Sequence, residues 1–436
     1  MLESMQTLVP HLATALTGPV PQLEKTILDN QTKIESFFRQ QWQLTPPPLY
    51  ASVDLRNAGF KIAPVDTNLF PAGFNNLNPD FMSLCVHAMQ STLARLHPSC
   101  QKILLIPESH TRNQFYLESL HQLHSILTQA GYETRIGSLK PDLTEAVEIK
   151  LNSGRQVKIE PIERQGDKVT IKSFCPCLVI LNHDMSEGTP QILKDIKQTL
   201  IPPLAIGWAY RKKSQHFKHY QQVAEEFSEI LGMDSWLINP LYRQCGEIDF
   251  MSGEGELCLT DQVDAALATI KQKYQTYGIK KDPFVVVKAD QGTYGMGVMM
   301  VRSSDELRGL NRKARTRMSV SKGGQKIKNV ILQEGVYSFE TIGEQQAVAE
   351  PVVYMIGRYV VGGFYRVHTK RGEAENLNAP GMHFEPLAFA ESCTNPKIDE
   401  AVPCSSNRFY AYGVIARLAL LASARELAMV LGKEND

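Results

Sequence analysis

The sequence predicts an α/β fold in its N-terminal half and an α+β arrangement in its C-terminal half. Three observations support this class. Short apolar runs alternate with helix-like segments over residues 80–184, which is typical of an open α/β sheet. Polar side chains follow several of these runs, at the ends of the predicted strands. Residues 284–301 contain two apolar runs around a glycine-rich turn, which indicates a strand, a turn and a second strand.

The composition is that of an ordinary globular protein. Of the 436 residues, 43% are hydrophobic and 21% are charged, and Lys+Arg and Asp+Glu both number 46. This length predicts two to three domains, and the balanced charge predicts neither a nucleic-acid nor a membrane partner. No run reaches the roughly 18 apolar residues of a membrane helix, and no basic residue precedes Lys25, unlike a signal peptide. We expect a cytoplasmic protein with small-molecule substrates; whether it forms a homo-oligomer stays open.

The eight cysteines are scattered, and only Cys175 and Cys177 lie close together. This pair leads into an apolar run, so it predicts a buried strand rather than half of a zinc site. Reduced thiols are therefore expected, as in a cytosolic protein.

The first polar segment follows a predicted strand. Residues 1–45 are predicted to be helical up to three prolines, and residues 49–55 to form a strand. Residues 54–76 are predicted to form a loop that is dense in charges and amides. Such groups could bind a zwitterionic ligand, or they could form a solvated loop with local turns. The residues are Asp54, Arg56, Asn57, Lys61, Asp66, Asn68, Asn75 and Asn76.

The open sheet is predicted from alternating elements. Helices are expected at 80–97 and 114–130, and strands at 103–107, 131–136 and 178–184. Ligands of such sheets bind beyond the carboxyl ends of the strands. The polar residues at those ends are Glu108, His110, Arg112, Asn182, His183 and Asp184. The two histidines could be bases or ligands, but orienting a loop is the more common role.

A boundary is predicted at Pro202 and Pro203, before a helix that ends near Leu231. Three cations, Arg211, Lys212 and Lys213, lie near the start of that helix. Cations are unfavourable there unless an anion is close. They are therefore candidates for a nucleotide phosphate, with a solvated basic patch as the alternative.

The most informative stretch is the strand pair after a helix at 260–278. A strand at 284–288 ends in Lys288, glycines stand at 292, 295 and 297, and a second strand follows at 298–301. Glycines let backbone N–H groups converge on phosphate oxygens, and Lys288 adds charge beside them. The spacing fits neither the P-loop nor the dinucleotide fingerprint. The alternative is a tight hairpin whose glycines only form turns.

The C-terminal third adds further candidates. After a helix from Asp305, the segment 308–328 carries eight cations and no acid, so it is either a basic flap or a solvated face. A strand is expected at 330–336, and a hairpin at 351–367 turns at Gly357 and Arg358.

Two more features follow that hairpin. Asn376 and Asn378 point the same way if their segment is extended, which suits Mg²⁺; a turn is the alternative. Residues 414–431 are predicted to form an amphipathic helix on the body.

The order of these parts resembles that of ATP-grasp enzymes, including bacterial glutathione synthetase. A lysine near a helix start precedes the strand of Lys288 with its Gln-Gly-Thr-Tyr-Gly-Met-Gly loop. A strand ending Leu-Gln-Glu-Gly, a hairpin ending Phe-Tyr-Arg at Arg366 and an Asn-Leu-x-Ala segment follow. The motifs at 284–301 and 375–383 resemble more closely the proteobacterial, ATP-grasp-like glutamate–cysteine ligase family.

The resemblance implies a reaction: ATP, L-glutamate and L-cysteine give γ-glutamylcysteine, ADP and phosphate, the first step of glutathione biosynthesis, with Mg²⁺ as metal. It implies an open α/β domain at 1–205, a nucleotide and lid subdomain at 206–335 and a C-terminal subdomain at 336–436. Another carboxylate–amine ligase and a nucleotide-binding regulator remain alternatives.

The resemblance also implies roles for residues. Lys288 and Arg366 would be catalytic. The ATP-binding residues would be Lys213, Lys288, Gln291, Gly292, Thr293, Tyr294, Gly295, Met296, Gly297, Gln333, Glu334 and Val336. The substrate residues would be Asp54, Arg56, Asn57, Asp66 and Asn68. The late Glu-x-Asn metal pair that is usual in ATP-grasp enzymes is absent from 385–436, so Glu350, Glu375, Asn376 and Asn378 are the expected metal ligands.

Overall fold

The structure is a computed structural model that describes residues 12–13, 15, 18–109, 113–292, 297–319, 327–387 and 408–434. The helices of these residues are α1 (Pro19–Asp29), α2 (Gln31–Leu44), α3 (Met82–Leu96), α4 (Gln114–Gln129), α5 (Lys213–Leu231), α6 (Glu256–Thr276), α7 (Asp305–Arg308), α8 (Arg312–Ser319) and α9 (Arg408–Glu434). The strands are β1 (Leu12–Ala13), β2 (Tyr50–Asn57), β3 (Ile62–Asn68), β4 (Lys102–Pro107), β5 (Glu133–Ser138), β6 (Val147–Lys150), β7 (Gln156–Pro161), β8 (Glu163–Gln165), β9 (Lys168–Thr170), β10 (Leu178–Asn182), β11 (Thr199–Ile201), β12 (Tyr242–Glu247), β13 (Val285–Ala289), β14 (Val298–Val301), β15 (Asn329–Glu334), β16 (Thr341–Ile342), β17 (Ala347–Ile356), β18 (Tyr359–His368) and β19 (His383–Pro386).

The predicted open α/β sheet is present in the N-terminal half. Its six strands follow the order β11–β10–β4–β5–β7–β6, and every pair is parallel except β6 with β7. The central strands β4 and β10 are buried on both faces, because apolar side chains alternate into two separate cores. The carboxyl ends of β4 and β10 therefore place Glu108 and His183 at one edge of the sheet.

A seven-stranded sheet joins the two ends of the chain. In it β17 pairs with β16, β18 and β2, and β2 also pairs with β3. The predicted loop over 54–76 is therefore wrong in its first part, because β2 and β3 form an antiparallel pair. Polar and apolar residues alternate in β2, and the polar face lines a cavity rather than solvent. The sheet takes strands from both the predicted 1–205 and 336–436 segments.

The two strands predicted over 284–301 are present in a four-stranded sheet, and residues 293–296 between them lie outside the described residues. Its order is β12–β15–β13–β14, and β13 pairs antiparallel with β14. Gly297 closes the turn with a φ of 64°, and a Cβ on this residue would meet the Ile327 side chain at 2.6 Å. Both the backbone angle and the packing therefore favour glycine at this position.

The C-terminal helix α9 is not an amphipathic surface helix, so that prediction is wrong. Residues 410–424 are buried on all sides, among α5, α1 and the strands β2, β3 and β17. Its two buried charges are paired: Arg417 lies 2.8 Å from Glu35, and Glu426 lies 2.9 Å from Arg211. Burial raises the pKa of Glu426, but Arg211 outweighs it and lowers that pKa to about 2. Within the described residues, no helix is both long and apolar enough to span a bilayer.

One pair of thiols departs from the expected reduced state. Cys100 and Cys177 form a disulfide whose Cα atoms lie 5.6 Å apart, just before β4 and β10. The expectation of reduced thiols is therefore wrong for this pair. Cys85, Cys175, Cys245 and Cys258 are free.

Candidate active site

Two adjoining cavities lie beside the seven-stranded sheet. The first, about 340 Å³, contains the two predicted phosphate lysines and is called the lysine cavity. The second, about 640 Å³, is called the asparagine cavity; its asparagines are Asn68, Asn75, Asn76, Asn113, Asn182 and Asn378. Asp54, Asp66, Arg366 and Asn378 line both cavities. The cavities therefore meet at a shared wall that contains one arginine.

One face of the seven-stranded sheet builds this wall. Residues that are directly opposite on neighbouring strands project from the same face, as do residues two apart on one strand. Three rows across the sheet follow from the register: Glu350, Arg366 and Phe384; Asp66, Asp54, Val352 and Phe364; and Asn68, Ser52 and Tyr354. All ten side chains line one or both cavities. The wall thus changes from charged to aromatic within one sheet face.

Lys288 lies at the centre of the lysine cavity. Its Nζ donates to the carbonyl oxygen of Val65 at 3.0 Å and to Oε1 of Gln333 at 2.5 Å. Burial lowers the pKa of Lys288 to about 8, because desolvation disfavours the ammonium more than Asp66 stabilises it. A second anion in this cavity would relieve that imbalance.

Lys213, the first residue of α5, lies on the other side of Asp66. Its Nζ is 3.3 Å from Oδ1 of Asp66 and 4.0 Å from the centre of the Trp208 ring. Of the three cations predicted near this helix start, Lys213 lines the cavity, whereas Lys212 is exposed and Arg211 is buried against Glu426. Arg211 is therefore not a phosphate ligand, and its function is to neutralise Glu426 in the core.

Arg366 is held on the shared wall by two carboxylates. Its Nη1 lies 2.8 Å from Asp54 and 3.7 Å from Glu350. Burial disfavours the charged guanidinium, but Asp54 and Glu350 outweigh it and raise the pKa of Arg366. Its buried Nε has no hydrogen-bond partner among the described residues. An acceptor from a bound ligand would satisfy this donor.

Arg56 is mainly structural. It lies 2.5 Å from Glu350 and donates to the carbonyl oxygens of Val336 at 2.9 Å and Glu375 at 2.6 Å. The guanidinium thereby ties β2 to the segments that border the lysine cavity on its far side. If Arg56 also contacted a substrate, as the sequence predicts, its guanidinium would have to do so while making these structural bonds.

At the end of β15, the side chain of Gln333 has a hydrogen-bond donor available, whereas the carboxylate of Glu334 is already hydrogen-bonded. The amide of Gln333 is oriented by Lys288, because an ammonium only donates and so must face the amide oxygen. Its Nε2 is buried and has no partner among the described residues. In contrast, Glu334 accepts from Lys61 at 2.9 Å and from the indole of Trp236. Glu334 could contact a nucleotide through its backbone alone.

The four expected metal ligands line the lysine cavity. Both oxygens of Glu350 face cations, so this carboxylate fits a metal poorly. Glu375 accepts from Arg371 and from the Gly372 amide, each at 2.7 Å. The side-chain oxygen of Asn376 accepts from the backbone N–H of Asn378 at 2.9 Å. This hydrogen bond forms a turn, which was the alternative to the extended segment. The oxygen donors of Glu375, Asn376 and Asn378 are the kind that Mg²⁺ binds.

Other predicted residues lie elsewhere. Asn57 does not line either cavity, because it projects from the opposite face of β2 and donates to the Tyr412 hydroxyl at 2.9 Å. Gln291 donates to the backbone of Ala209 and Tyr210, and Gly292 borders the lysine cavity. Residues 293–296, His110, Arg112 and most of the predicted flap beyond Ser319 lie outside the described residues.

Sequence reasoning missed several cavity residues. Phe364, Tyr354 and Phe384 form an aromatic wall in the asparagine cavity, and Arg371 lines the lysine cavity. Arg317, one of the cations of the predicted basic flap, also lines the lysine cavity. The period-two pattern around Arg366 could have indicated Phe364, but Phe384 depends on strand register. Three of the polar residues predicted at the strand ends, Glu108, His183 and Asp184, lie close enough together to hold a metal ion.

Comparison with known proteins defines the class first: the chain is a ligase. A family model described as glutamate-cysteine ligase matches residues 24–427. The chain therefore belongs to the glutamate-cysteine ligase family, whose reaction joins glutamate to cysteine. The resemblance inferred from the motifs is confirmed at this level. No curated protein matches the chain.

A solved structure supports this assignment. It is the crystal structure of a protein from Methylobacillus flagellatus KT, provisionally described as a gamma-glutamylcysteine synthetase. It is 55% identical, covers 97% of this chain and 99% of its own, and has a TM-score of 0.90. D-alanyl-alanine synthetase A from Vibrio cholerae O1 biovar eltor str. N16961 is 12% identical over 73% of this chain and 81% of its own. Its TM-score of 0.32 supports no inference.

Proposed function

We propose that this glutamate–cysteine ligase uses ATP to convert the γ-carboxylate of L-glutamate into an acyl phosphate, which the amine of L-cysteine then attacks. The nucleotide would lie between the β13–β14 pair at residues 288–297 and the chain over residues 333–378, in an ATP-grasp-like module. The observation that carries the proposal is Arg366, which lines both cavities. One cavity supplies lysines for a triphosphate, and the other supplies polar and aromatic surface for amino acids.

The lysine cavity fits a polyphosphate by charge. Among the described residues, six cations and five carboxylates line it, and each carboxylate is paired with a cation. The cations are Arg56, Lys213, Lys288, Arg317, Arg366 and Arg371. Cations that point at a transferring phosphoryl group spread its charge and lower the barrier, while positioning contributes most of the rest. Lys288 would hold the phosphates, and the unpaired Nε2 of Gln333 would donate to an acceptor of the nucleotide. Val336 would border the base.

Magnesium belongs to the same proposal. Mg²⁺ bound with ATP would neutralise phosphate charge, and Glu375, Asn376 and Asn378 are the residues of this chain that would hold it. Glu350 is better assigned to positioning, because it holds Arg56 and Arg366 in place on the shared wall.

Arg366 would act where the two substrates meet. A carboxylate is a poor electrophile, and a guanidinium beside it stabilises the charge that develops as the phosphoryl group arrives. Asp54 and Glu350 fix the guanidinium before substrate binds, so little reorganisation is needed at the moment of reaction. Exclusion of water from this wall would protect the acyl phosphate from hydrolysis.

A substrate panel tests the proposed function. The purified protein with ATP and Mg²⁺ should release ADP only when an acid and an amine are both present, with L-glutamate and L-cysteine as the best pair. Mass spectrometry should identify γ-glutamylcysteine. A best pair other than glutamate and cysteine would indicate another carboxylate–amine ligase, and ATP binding without ADP release for any pair would indicate a regulator.

The affinity for ATP should depend on pH through Lys288. Burial lowers its pKa to about 8 in the free protein, and the groups that face it are Asp66, Lys213, Arg56 and Asp54. A triphosphate favours the charged lysine, so binding takes up a proton above this pH. The affinity should be constant below pH 8 and fall towards tenfold per pH unit above it, as calorimetric titration would show.

The control for this titration is Lys288→Arg. Arginine stays charged throughout this range, so the variant should lose the decline between pH 8 and 9. An equal decline in both proteins would assign the titration to another group.

A further inference from the structure

We propose that the asparagine cavity receives the amino-acid substrates, and that its aromatic wall, formed by Phe364, Tyr354 and Phe384, binds the side chain of cysteine and excludes serine. The proposal rests on the proposed function, because it assumes that phosphoryl transfer occurs at Arg366. It names a specificity determinant for the amine substrate.

The two cavities differ in charge and therefore suit different ligands. Among its described lining residues, the asparagine cavity has one cation, Arg366, on the wall that it shares with the lysine cavity. Its remaining lining is rich in amides, carboxylates and aromatic rings. A triphosphate would be repelled there, whereas a zwitterionic amino acid would find carboxylates for its ammonium group and Arg366 or amides for its carboxylate. The volume of about 640 Å³ is within the roughly 300–1,000 Å³ range of small-molecule sites.

The position of the aromatic wall follows from strand register. Phe384 is the direct cross-strand neighbour of Arg366, and Phe364 lies two residues before Arg366 on the same strand and face. Opposite side chains on paired strands have Cβ atoms roughly 4.5–5.5 Å apart. Both residues are therefore immediate neighbours of Arg366 on the wall where the acyl phosphate would form.

The covalent structure of cysteine makes this position significant. Its amine and its thiol are attached to adjacent carbons, so an amine that attacks next to Arg366 brings the thiol within a few ångströms of the same point. The surface that contacts the thiol must therefore border Arg366. On the asparagine-cavity side, Asp54, Phe384 and Phe364 neighbour Arg366 on this sheet face, and of these three Phe384 and Phe364 offer apolar surface.

The chemistry of the wall suits a thiol better than a hydroxyl. Phe364 packs against Phe384 with ring centres 4.9 Å apart and against Tyr354 at 5.4 Å. The Tyr354 hydroxyl is already bonded to the carbonyl oxygen of Ala72, so this residue presents its ring. Sulfur contacts aromatic rings favourably and needs no hydrogen bond, whereas a buried serine hydroxyl would lose water without gaining a partner.

The expected discrimination follows from this difference. The wild-type enzyme should prefer cysteine over serine by about 10- to 100-fold in kcat/KM. 2-Aminobutyrate, in which a methyl group replaces the thiol, should be used better than serine, because the wall contacts apolar groups without requiring a donor.

The experiment compares three variants with cysteine, serine and 2-aminobutyrate, measured by product formation. Phe384→Ala should raise the KM for cysteine about tenfold and reduce the preference over serine to a few-fold. The KM values for ATP and glutamate should stay within twofold. Phe384→Leu keeps an apolar side chain and should retain most of the preference. Leu257→Ala removes an apolar side chain that is 78% exposed on α6 and lines neither cavity, and should change nothing.

Two outcomes overturn the proposal, and they differ from a failure of the proposed function. If Phe384→Ala prefers cysteine over serine as strongly as wild type does, or if Phe384→Leu loses as much of that preference as Phe384→Ala, the wall does not select the thiol. If the wild-type protein forms no γ-glutamylcysteine at all, the proposed function fails before the variants are compared. Unchanged far-UV circular dichroism and ATP affinity in Phe384→Ala keep the comparison free of folding effects.

Discussion

Replacement of Lys288 by methionine should reduce kcat/KM for γ-glutamylcysteine formation by about a thousandfold. A single preorganised donor aimed at developing charge is worth about 10²–10³ in rate, and Lys288 would also contribute to nucleotide binding. Methionine has a similar length and no charge, so the cavity keeps its shape. Steady-state release of ADP with saturating glutamate and cysteine is the measurement.

The fold should survive this substitution. Burial lowers the pKa of Lys288 to about 8, so replacing it removes the free-energy cost of a desolvated cation. The replacement also leaves two acceptors, the Val65 carbonyl and the Gln333 side chain, without their donor. These effects oppose each other, and the melting temperature should move by a few degrees at most. Lys271→Met, at an exposed position on α6, is the matched control and should behave as wild type. Turnover in Lys288→Met equal to that of wild type would remove Lys288 from the mechanism.

Features that depend on neighbours in sequence were predicted well. The strands β13 and β14, the lysine at the end of β13 and the hairpin of β17 and β18 are all specified by local patterns, namely glycine spacing and apolar runs. The family resemblance rested on the same local motifs. The family match over residues 24–427 confirms that resemblance.

Features that depend on distant partners were not predicted. The charged residues of β2 and β3 suggest a solvated loop when only the sequence is considered. In the structure β2 pairs with β17, and the charged face of β2 and β3 lines a cavity together with residues from 350–378. Helix α9 has charges that suggest a surface, but Glu35 and Arg211 neutralise them in the core. Asn57 was grouped with Arg56, although alternation along β2 sends the two to opposite faces. Local pattern alone does not show what a strand face meets.

Replacement of Arg366 by alanine should lower kcat by about 10²- to 10³-fold while changing the KM for ATP by less than about threefold. The guanidinium lines the shared wall, and five other cations line the lysine cavity, so its loss removes little ground-state affinity for the triphosphate. Its contribution would appear when charge develops on the acyl phosphate, which is the pattern of an interaction made only in the transition state.

Two further variants decide whether the effect belongs to the arginine itself. Arg366→Lys keeps a charge but loses the planar fork that Asp54 and Glu350 hold, so we expect it to recover only part of the lost rate. Asp54→Asn leaves the guanidinium in place but removes one of its two fixed partners; a smaller loss in kcat, with the KM for ATP unchanged, is expected. If Arg366→Ala instead weakened ATP binding in proportion to the lost activity, Arg366 would be a nucleotide ligand. The shared wall would then separate two substrates without acting on the bond between them.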